Sequence, residues 1–332
     1  MEDKGAILVT GGAGYIGSHA TLALLDAGWT VVVIDDLSTG FESAVPKAAT
    51  FYHADIADTD RVATILKEHY IRAIMHFAGS VVVSESVERP MKYYLNNTAK
   101  SAELINCAMS AGVEAFIFSS TAAVYGSPDQ DAVDEDAEKK PINPYGRSKL
   151  MTEQMLRDAS TAGQLKACVL RYFNVAGADP LGRTGQSTAG ATHLIKVACE
   201  VVTGQRPVIE IFGSDFDTPD GTGIRDYIHV SDLADAHVRA LDYLLAGPSD
   251  FTVMNCGYGR GFSVAQVLDA VDRVAGTTIE RRFGPRRAGD PAQLIAEPQK
   301  ARTLLGWQPR HDDLDTIVRH ALAWERDRGG AR

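Results

Sequence analysis

Short strand-like runs alternate with stretches of helical spacing through the first half of this chain. Residues 6–10, 30–34, 50–53, 73–77 and 115–119 are brief runs rich in apolar and β-branched side chains, the length and composition of buried strands. Residues 15–27 carry a helical pattern. So do residues 91–111, where Tyr94, Thr98, Ala102, Ile105 and Met109 share one face before Gly112 closes the segment. Repeated strand–helix alternation predicts an α/β fold with a parallel sheet covered by helices on both faces. Pro141-Ile142-Asn143-Pro144 then launches a helix expected over 145–162, followed by a strand over 165–171. From about Pro180 the alternation is shorter, with segments at 208–212, 232–245, 264–275, 278–283 and 316–328 separated by Gly and Pro loops. This predicts one large domain over 1–180, rejoined by about 225–256, and a smaller α/β lobe over 181–332.

Composition narrows the partners. With 33 basic against 43 acidic residues the net charge is −10, and no block of Lys or Arg could track a phosphate backbone, so nucleic acid is not an expected partner. The acidic opening Met1-Glu2-Asp3-Lys4-Gly5 leaves no room for a secretory apolar segment, and no apolar run reaches membrane-spanning length. Cys107, Cys168, Cys199 and Cys256 are far apart in apolar surroundings, which predicts reduced thiols in a cytoplasmic protein with no disulfide and no metal site. The charged stretch 130–140, including Asp131, reads as a solvated surface crossing.

The junction of the first strand and helix carries the first chemistry. In Val9-Thr10-Gly11-Gly12-Ala13-Gly14-Tyr15-Ile16-Gly17, Gly11 allows a tight reversal, Gly14 lets backbone N–H groups approach a pyrophosphate, and Gly17 lets helix pack on strand. A dinucleotide phosphate would rest on the N–H groups of Tyr15 and Ile16, where the helix dipole favours anions. This is a Rossmann-type, doubly wound arrangement. Asp35, eighteen residues past Gly17, stands where an acid bonds the adenosine ribose, with Asp36 beside it. An acid there repels a 2′-phosphate, and no Lys or Arg lies between Gly5 and Pro46, so the expected cofactor is NAD. Asp55 and Ile56 follow the third strand where a loop could meet adenine, although an Asp there also serves as a helix cap. Phe77-Ala78-Gly79 ends the fourth strand in small residues that admit a cofactor, while His76 inside the apolar run reads as a packed core histidine.

The second chemical feature is Tyr145-Gly146-Arg147-Ser148-Lys149. A Tyr and a Lys four apart share one helical face, as a surface pair or as a phenol and an ammonium aimed into one site. Thr121 leaves a neighbouring strand with a hydroxyl. These are the parts needed to take a proton from an alcohol whose carbon gives hydride to nicotinamide.

In this order, the glycine motif, Asp35 and the Tyr145/Lys149 pair resemble the extended short-chain dehydrogenase/reductase family. The likeness runs on through Glu85-Ser86-Val87, Asn96-Asn97, Leu170-Arg171-Tyr172-Phe173-Asn174 and the run from Asp220 to Val230. Within the family it is similar to the branch acting on UDP-sugars. The resemblance implies tightly bound NAD, interconversion of UDP-glucose and UDP-galactose through a 4-keto sugar, and a homodimer built on the 91–111 and 145–162 helices. It gives Tyr145 the role of base, with Lys149 and Thr121 supporting it, and adds Asn96 and Phe173 to the cofactor contacts. Asn174, His193, Leu194, Phe212, Arg225, Arg287, Asp290 and Leu294 would line the UDP-sugar site. Forked Arg donors suit a diphosphate and a Phe suits uracil, although each Arg also fits a rim salt bridge and Phe212 a core strand.

Three positions depart from the family pattern. Val81 replaces a Lys near the nicotinamide, His193 replaces an Asn beside the pyrophosphate, and Leu294 replaces an aromatic or small residue facing the sugar's C2 substituent. Ala122 and Ala123 after Thr121 argue against a dehydratase, which needs an acid and a base there. A UDP-pentose substrate shares the same C4 chemistry and stays open, as does a non-catalytic NAD sensor.

Overall fold

The computed structural model describes residues 5–128, 130, 132–287 and 290–330. The acidic opening through Lys4, and Asp131 of the charged stretch, lie outside the described residues. In chain order the first half runs β1 (Ala6–Thr10), α1 (Tyr15–Asp26), β2 (Thr30–Asp35), β3 (Thr50–His53), α2 (Thr59–Glu68) and β4 (Ile71–His76). It continues through α3 (Val83–Glu88), α4 (Pro90–Tyr93), a π segment (Tyr94–Ala99), α5 (Lys100–Ser110), β5 (Ala115–Thr121), α6 (Pro144–Thr161) and β6 (Lys166–Tyr172).

The second half runs β7 (Asn174–Ala176), α7 (Leu194–Val202), β8 (Ile209–Phe212), β9 (Ile224–His229), α8 (Val230–Leu245) and β10 (Phe251–Cys256). Then come β11 (Gly261–Ser263), α9 (Val264–Ala275), β12 (Arg281–Gly284), β13 (Gln293–Leu294), α10 (Gln299–Leu305) and α11 (Leu314–Gly330).

Seven strands form one parallel sheet in the order β10-β6-β5-β4-β1-β2-β3. Alternate side chains feed two cores. Ile7, Val9, Val31, Val33, Met75 and Ile117 pack on the face covered by α1 and α8. Leu8, Val32, Ile34, Ile74, Phe116 and Phe118 pack on the other face, with Val62, Leu104 and Leu156 from α2, α5 and α6. Burial on both faces is why these strands read as unbroken apolar runs. The chain reverses direction across the sheet at β1, between β4 and β2, which opens a crevice at the carboxyl ends of β1 and β4.

Three features differ from the sequence reading. The 91–111 segment is not one α-helix: after Tyr93 it widens to a π segment, where the Lys100 N–H bonds the Leu95 carbonyl, before α5 resumes. The 225–256 segment divides, because β9 joins a second sheet with β7, β11 and β13, while α8 and β10 return to the large sheet. The 278–283 strand begins only at Arg281, since Gly276 ends α9 in a left-handed turn and Asp272 captures the Ile279 N–H. From there β12 pairs with β8.

Candidate functional site

The glycine turn is as tight as its composition requires. Gly11 has φ +70°, and a Cβ there would stand 2.5 Å from the Ala78 nitrogen; one on Gly17 would stand 2.2 Å from the Gly11 carbonyl oxygen. A Cβ on Gly14 would meet only that same carbonyl, at 3.2 Å, so the space in front of it is open to a ligand. Tyr15 and Ile16 open α1, so their N–H groups have no acceptor within the helix. An open cradle at a helix start fits the pyrophosphate of a dinucleotide. The Tyr15 hydroxyl is engaged elsewhere, donating to the Gly177 carbonyl at 2.7 Å.

Asp35 is buried and does more than the sequence indicates. One carboxylate oxygen accepts the Ala13 N–H at 2.9 Å and the other the Leu37 N–H at 2.8 Å, so it braces the turn. Burial raises its pKa against the pull of those two bonds. Asp36 is exposed and accepts the Ser38 N–H. Burial pushes the Asp55 carboxyl up, but Lys100, 2.5 Å away, brings it below the usual value, while Ile56 packs in the core. The Phe77 N–H bonds the Thr10 carbonyl, which draws the Phe77-Ala78-Gly79 loop against the glycine turn. Asn96 donates to the Ser80 hydroxyl at 3.1 Å. Its neighbour Asn97, buried and given no role by the sequence reading, holds both the Ser80 N–H and the Ser80 carbonyl.

Tyr145 and Thr121 meet because Gly146 has no side chain. A Cβ there would fall 2.5 Å from the Ala123 carbonyl oxygen, so the start of α6 presses directly on the turn that follows β5. Asn143 caps α6 through the Gly146 N–H, and Pro144 sits in its first turn. Tyr145, Thr121 and Lys149 are all buried. Burial holds the Tyr145 phenol above its ordinary value, and a hydrogen bond with Thr121 pulls it back. Lys149 donates to the Ser119 carbonyl at 2.8 Å and lies 4.8 Å from the centre of the Phe118 ring. Burial lowers it to about 8, with the Glu153 charge opposing.

Behind these groups lies a buried ion pair absent from the sequence reading. Arg171 of β6 grips the Glu153 carboxylate through contacts of 2.6, 3.0 and 3.2 Å. Glu153 also accepts the Ser120 hydroxyl at 2.5 Å, and Arg171 donates to the Tyr125 hydroxyl at 3.0 Å. Two signals were present: an acid one turn beyond Lys149, and an arginine in the middle of an apolar strand.

The expected substrate residues fall into two groups. Arg225 of β9 pairs in register with Leu294 of β13, and Leu294 packs against the small apolar cluster that includes Ala122, the residue after Thr121, with Tyr125 and Phe173. Arg225 is close enough to Asp290 and Arg287 to feel both charges, and burial holds its pKa down. Arg287 lies 3.8 Å over the Phe212 ring, so one face of that ring carries a guanidinium. In the second group, Asn174, His193 and Leu194 line one cavity with Gln186, Lys196 and Trp324. His193 precedes α7 with its Nδ1 2.8 Å from the Gln186 amide, and burial holds its pKa down, so it brings no charge to the cavity at neutral pH. Val81 is exposed and places no cation at the loop.

Residues 7–257 match the NAD dependent epimerase/dehydratase family. The chain is 57% identical to the UDP-glucose 4-epimerase of Azospirillum brasilense over 96% of its length and 92% of that protein's. A solved UDP-glucose-4-epimerase from Stenotrophomonas maltophila, with bound NAD and formylated UDP-arabinopyranose, superimposes with a TM-score of 0.95 at 39% identity, over 99% of this chain and 100% of that one. Another, from Brucella ovis in complex with NAD, gives 0.93 at 42% identity, over 96% and 98%. The open glycine cradle, the Tyr145/Lys149 helix and these likenesses converge: the chain belongs to the NAD dependent epimerase/dehydratase family, among relatives named UDP-glucose 4-epimerase.

Proposed function

We propose that this chain interconverts UDP-glucose and UDP-galactose, using NAD that stays bound through the cycle. The observation that carries the reading is the buried contact of Thr121 with Tyr145, one helical turn from Lys149 and beside the crevice where the glycine turn lies. NAD, when bound, supplies the reversible two-electron acceptor that turns the C4 alcohol into a ketone and back. Tyr145 takes the O4 proton and later returns it, and Thr121 holds O4 while charge develops there. The phenol must fall about three pKa units to act near neutral pH, ~4 kcal/mol. Lys149 and the positive charge of the oxidised cofactor are the groups available to supply it. Lys149 also anchors the nicotinamide ribose, and Asp35 receives the adenosine ribose.

Arg225, Arg287 and Asp290 hold the nucleotide diphosphate and its ribose, with Phe212 against uracil and Leu294 against the sugar. Asn174, His193 and Leu194 flank the pyrophosphate. The large sheet with α8 and β10 serves as the nucleotide half, and the β9 sheet with the arginines as the substrate half. Val87, Met91, Leu95 and Met151 are exposed apolar side chains on α3 to α6, which supports a homodimer through that surface. All four cysteines are free thiols, which supports a cytoplasmic setting. Among the described residues no helix is long and apolar enough to cross a membrane.

The test is Tyr145→Phe. It should fold and retain NAD, released in near-stoichiometric amount on heat denaturation, yet turn over UDP-galactose at least ~100-fold more slowly. A near-normal kcat removes Tyr145 from the chemistry, and recovery of NADP removes the cofactor assignment.

A further inference from the structure

We propose that His76 is a positioning residue that ties the nucleotide turn at the end of β1 to the helix carrying Tyr145 and Lys149. The inference rests on the functional reading above, with NAD beside the Phe77-Ala78-Gly79 loop that the sequence offers to the cofactor. His76 is fully enclosed at the end of β4, and both ring nitrogens are engaged. Nδ1 lies 2.6 Å from the Thr10 hydroxyl and Nε2 lies 2.8 Å from the Ser101 hydroxyl.

The positions of the hydrogens follow by elimination. Ser101 has one hydroxyl hydrogen, and it goes to the Asn97 carbonyl oxygen at 2.5 Å, which has none to give. The Ser101 oxygen therefore accepts from His76, which fixes the Nε2–H form of the ring. Nδ1 of the neutral ring then accepts from Thr10, leaving the Thr10 oxygen to accept the Ala78 N–H at 3.4 Å. The relay runs one way: Ala78 N–H to Thr10, Thr10 to His76, His76 to Ser101, Ser101 to Asn97.

Each end of the relay grips a functional segment. At one end are the cofactor loop and the last residue of β1. At the other is the π segment, where an α-helical bonding pattern gives way and the Asn97 carbonyl takes the Ser101 hydroxyl and shares the Thr152 hydroxyl of α6, 3.2 Å away, with the Ser148 carbonyl. The Asn97 amide then clamps Ser80 and reaches the Ser148 hydroxyl, one residue before Lys149, at 3.1 Å. Thr98 adds a bond to the Ser148 carbonyl. The His76 ring also stacks on Phe118, the ring over which Lys149 lies. One imidazole thus sets the loop, the π segment and α6 in a common register.

The experiment compares the unmodified chain with His76→Phe and with the triple variant Thr10→Val, His76→Phe, Ser101→Ala. The single variant keeps the ring stack but leaves the Thr10 hydroxyl without its acceptor and the Ser101 oxygen without its donor; the triple variant removes both hydroxyls. With UDP-galactose, His76→Phe should lose kcat ~10- to 100-fold while KM changes by about two-fold or less. Its NAD affinity should fall as well. The triple variant should regain thermal stability without regaining kcat or NAD affinity. Recovery of kcat together with stability, or an unchanged kcat in His76→Phe, overturns the proposal and leaves His76 a core residue. An unmodified chain that binds NAD but does not turn over UDP-galactose sinks the activity reading alone. The NAD affinities then decide: equal affinity across the three proteins overturns the positioning role, and weaker affinity in both variants supports it.

Discussion

Removing the Glu153 carboxylate should be among the most damaging single changes outside the reacting groups. Glu153→Ala leaves Arg171, whose side chain is 2% exposed, without the acid that balances its charge. It also strands the Ser120 hydroxyl next to Thr121. Breaking a buried pair in this way typically costs ~3–5 kcal/mol, because a buried charge is left uncompensated. The bonds from Arg171 to the Tyr125 hydroxyl and the Glu135 carbonyl persist, which favours the lower part of that range. A chain of 332 residues has an unfolding entropy of roughly 0.7 kcal/mol per degree, so the melting temperature should drop by roughly 4–7 °C. Glu153→Met combined with Arg171→Met removes both charges at similar volume and should recover the part of the loss that comes from the uncompensated charge, leaving only the cost of the stranded Ser120 hydroxyl, about 1–3 kcal/mol. Urea and thermal unfolding of the three proteins, at equal saturation with NAD, read the comparison. A single variant as stable as the parent, or a double variant no better than the single, shows that the pair is not an interdependent unit.

Other consequences are equally open to measurement. Leu294→Tyr should abolish turnover of UDP-N-acetylgalactosamine and Leu294→Gly should raise it, the unmodified protein discriminating by ~10- to 100-fold against it; a flat ratio of kcat/KM places Leu294 outside the sugar pocket. Acid should destabilise the fold early, because burial lowers His19 and His237 to about 4 and His76 to about 3. The unfolded chain takes up these protons first, so stability is complete above pH ~6.5 and falls toward pH 4, by roughly 2 kcal/mol per imidazole at pH 5. Asp226, raised to about 6 by burial, and Asp35, also raised by burial, oppose this; urea midpoints that stay level from pH 7 to 5 contradict the reasoning. Met91→Glu with Leu95→Glu should convert the dimer to a monomer in light scattering at micromolar concentration, and a parent that is already monomeric refutes the interface.

Legibility differed from place to place, for physical reasons. The strands of the large sheet were readable because burial on both faces leaves an apolar run, and the glycine turn because Gly11 and Gly17 answer specific steric conflicts while Gly14 leaves the cradle open. The Tyr145/Lys149 pairing needs only a helical period. The π segment was not readable, since its buried position Asn97 and the buried Ser101 just beyond it are polar and no apolar pattern marks the widened turn. The Glu153–Arg171 pair joins two elements through side chains alone, and no local pattern encodes such a match. Arg287 over Phe212 is the same case. The run from Asp220 to Val230 carries the family likeness, and much of it is scaffolding. Asp226 accepts the Tyr258 and Gly259 N–H groups, and Asp220 binds Thr222 and Ser263.

The late return of β10 bears on how the chain reaches this fold during synthesis. Until residues 251–256 leave the ribosome, β6 is an edge strand, with a row of unpaired backbone groups along Lys166–Tyr172. The apolar face that α8 later covers is bare until residues 230–245 emerge, slightly earlier. The nascent nucleotide half therefore waits, sticky on one edge and one face, for a segment about eighty residues downstream. Chaperone demand should concentrate in that interval, and a fragment cut after residue 180 carries the same exposed edge permanently.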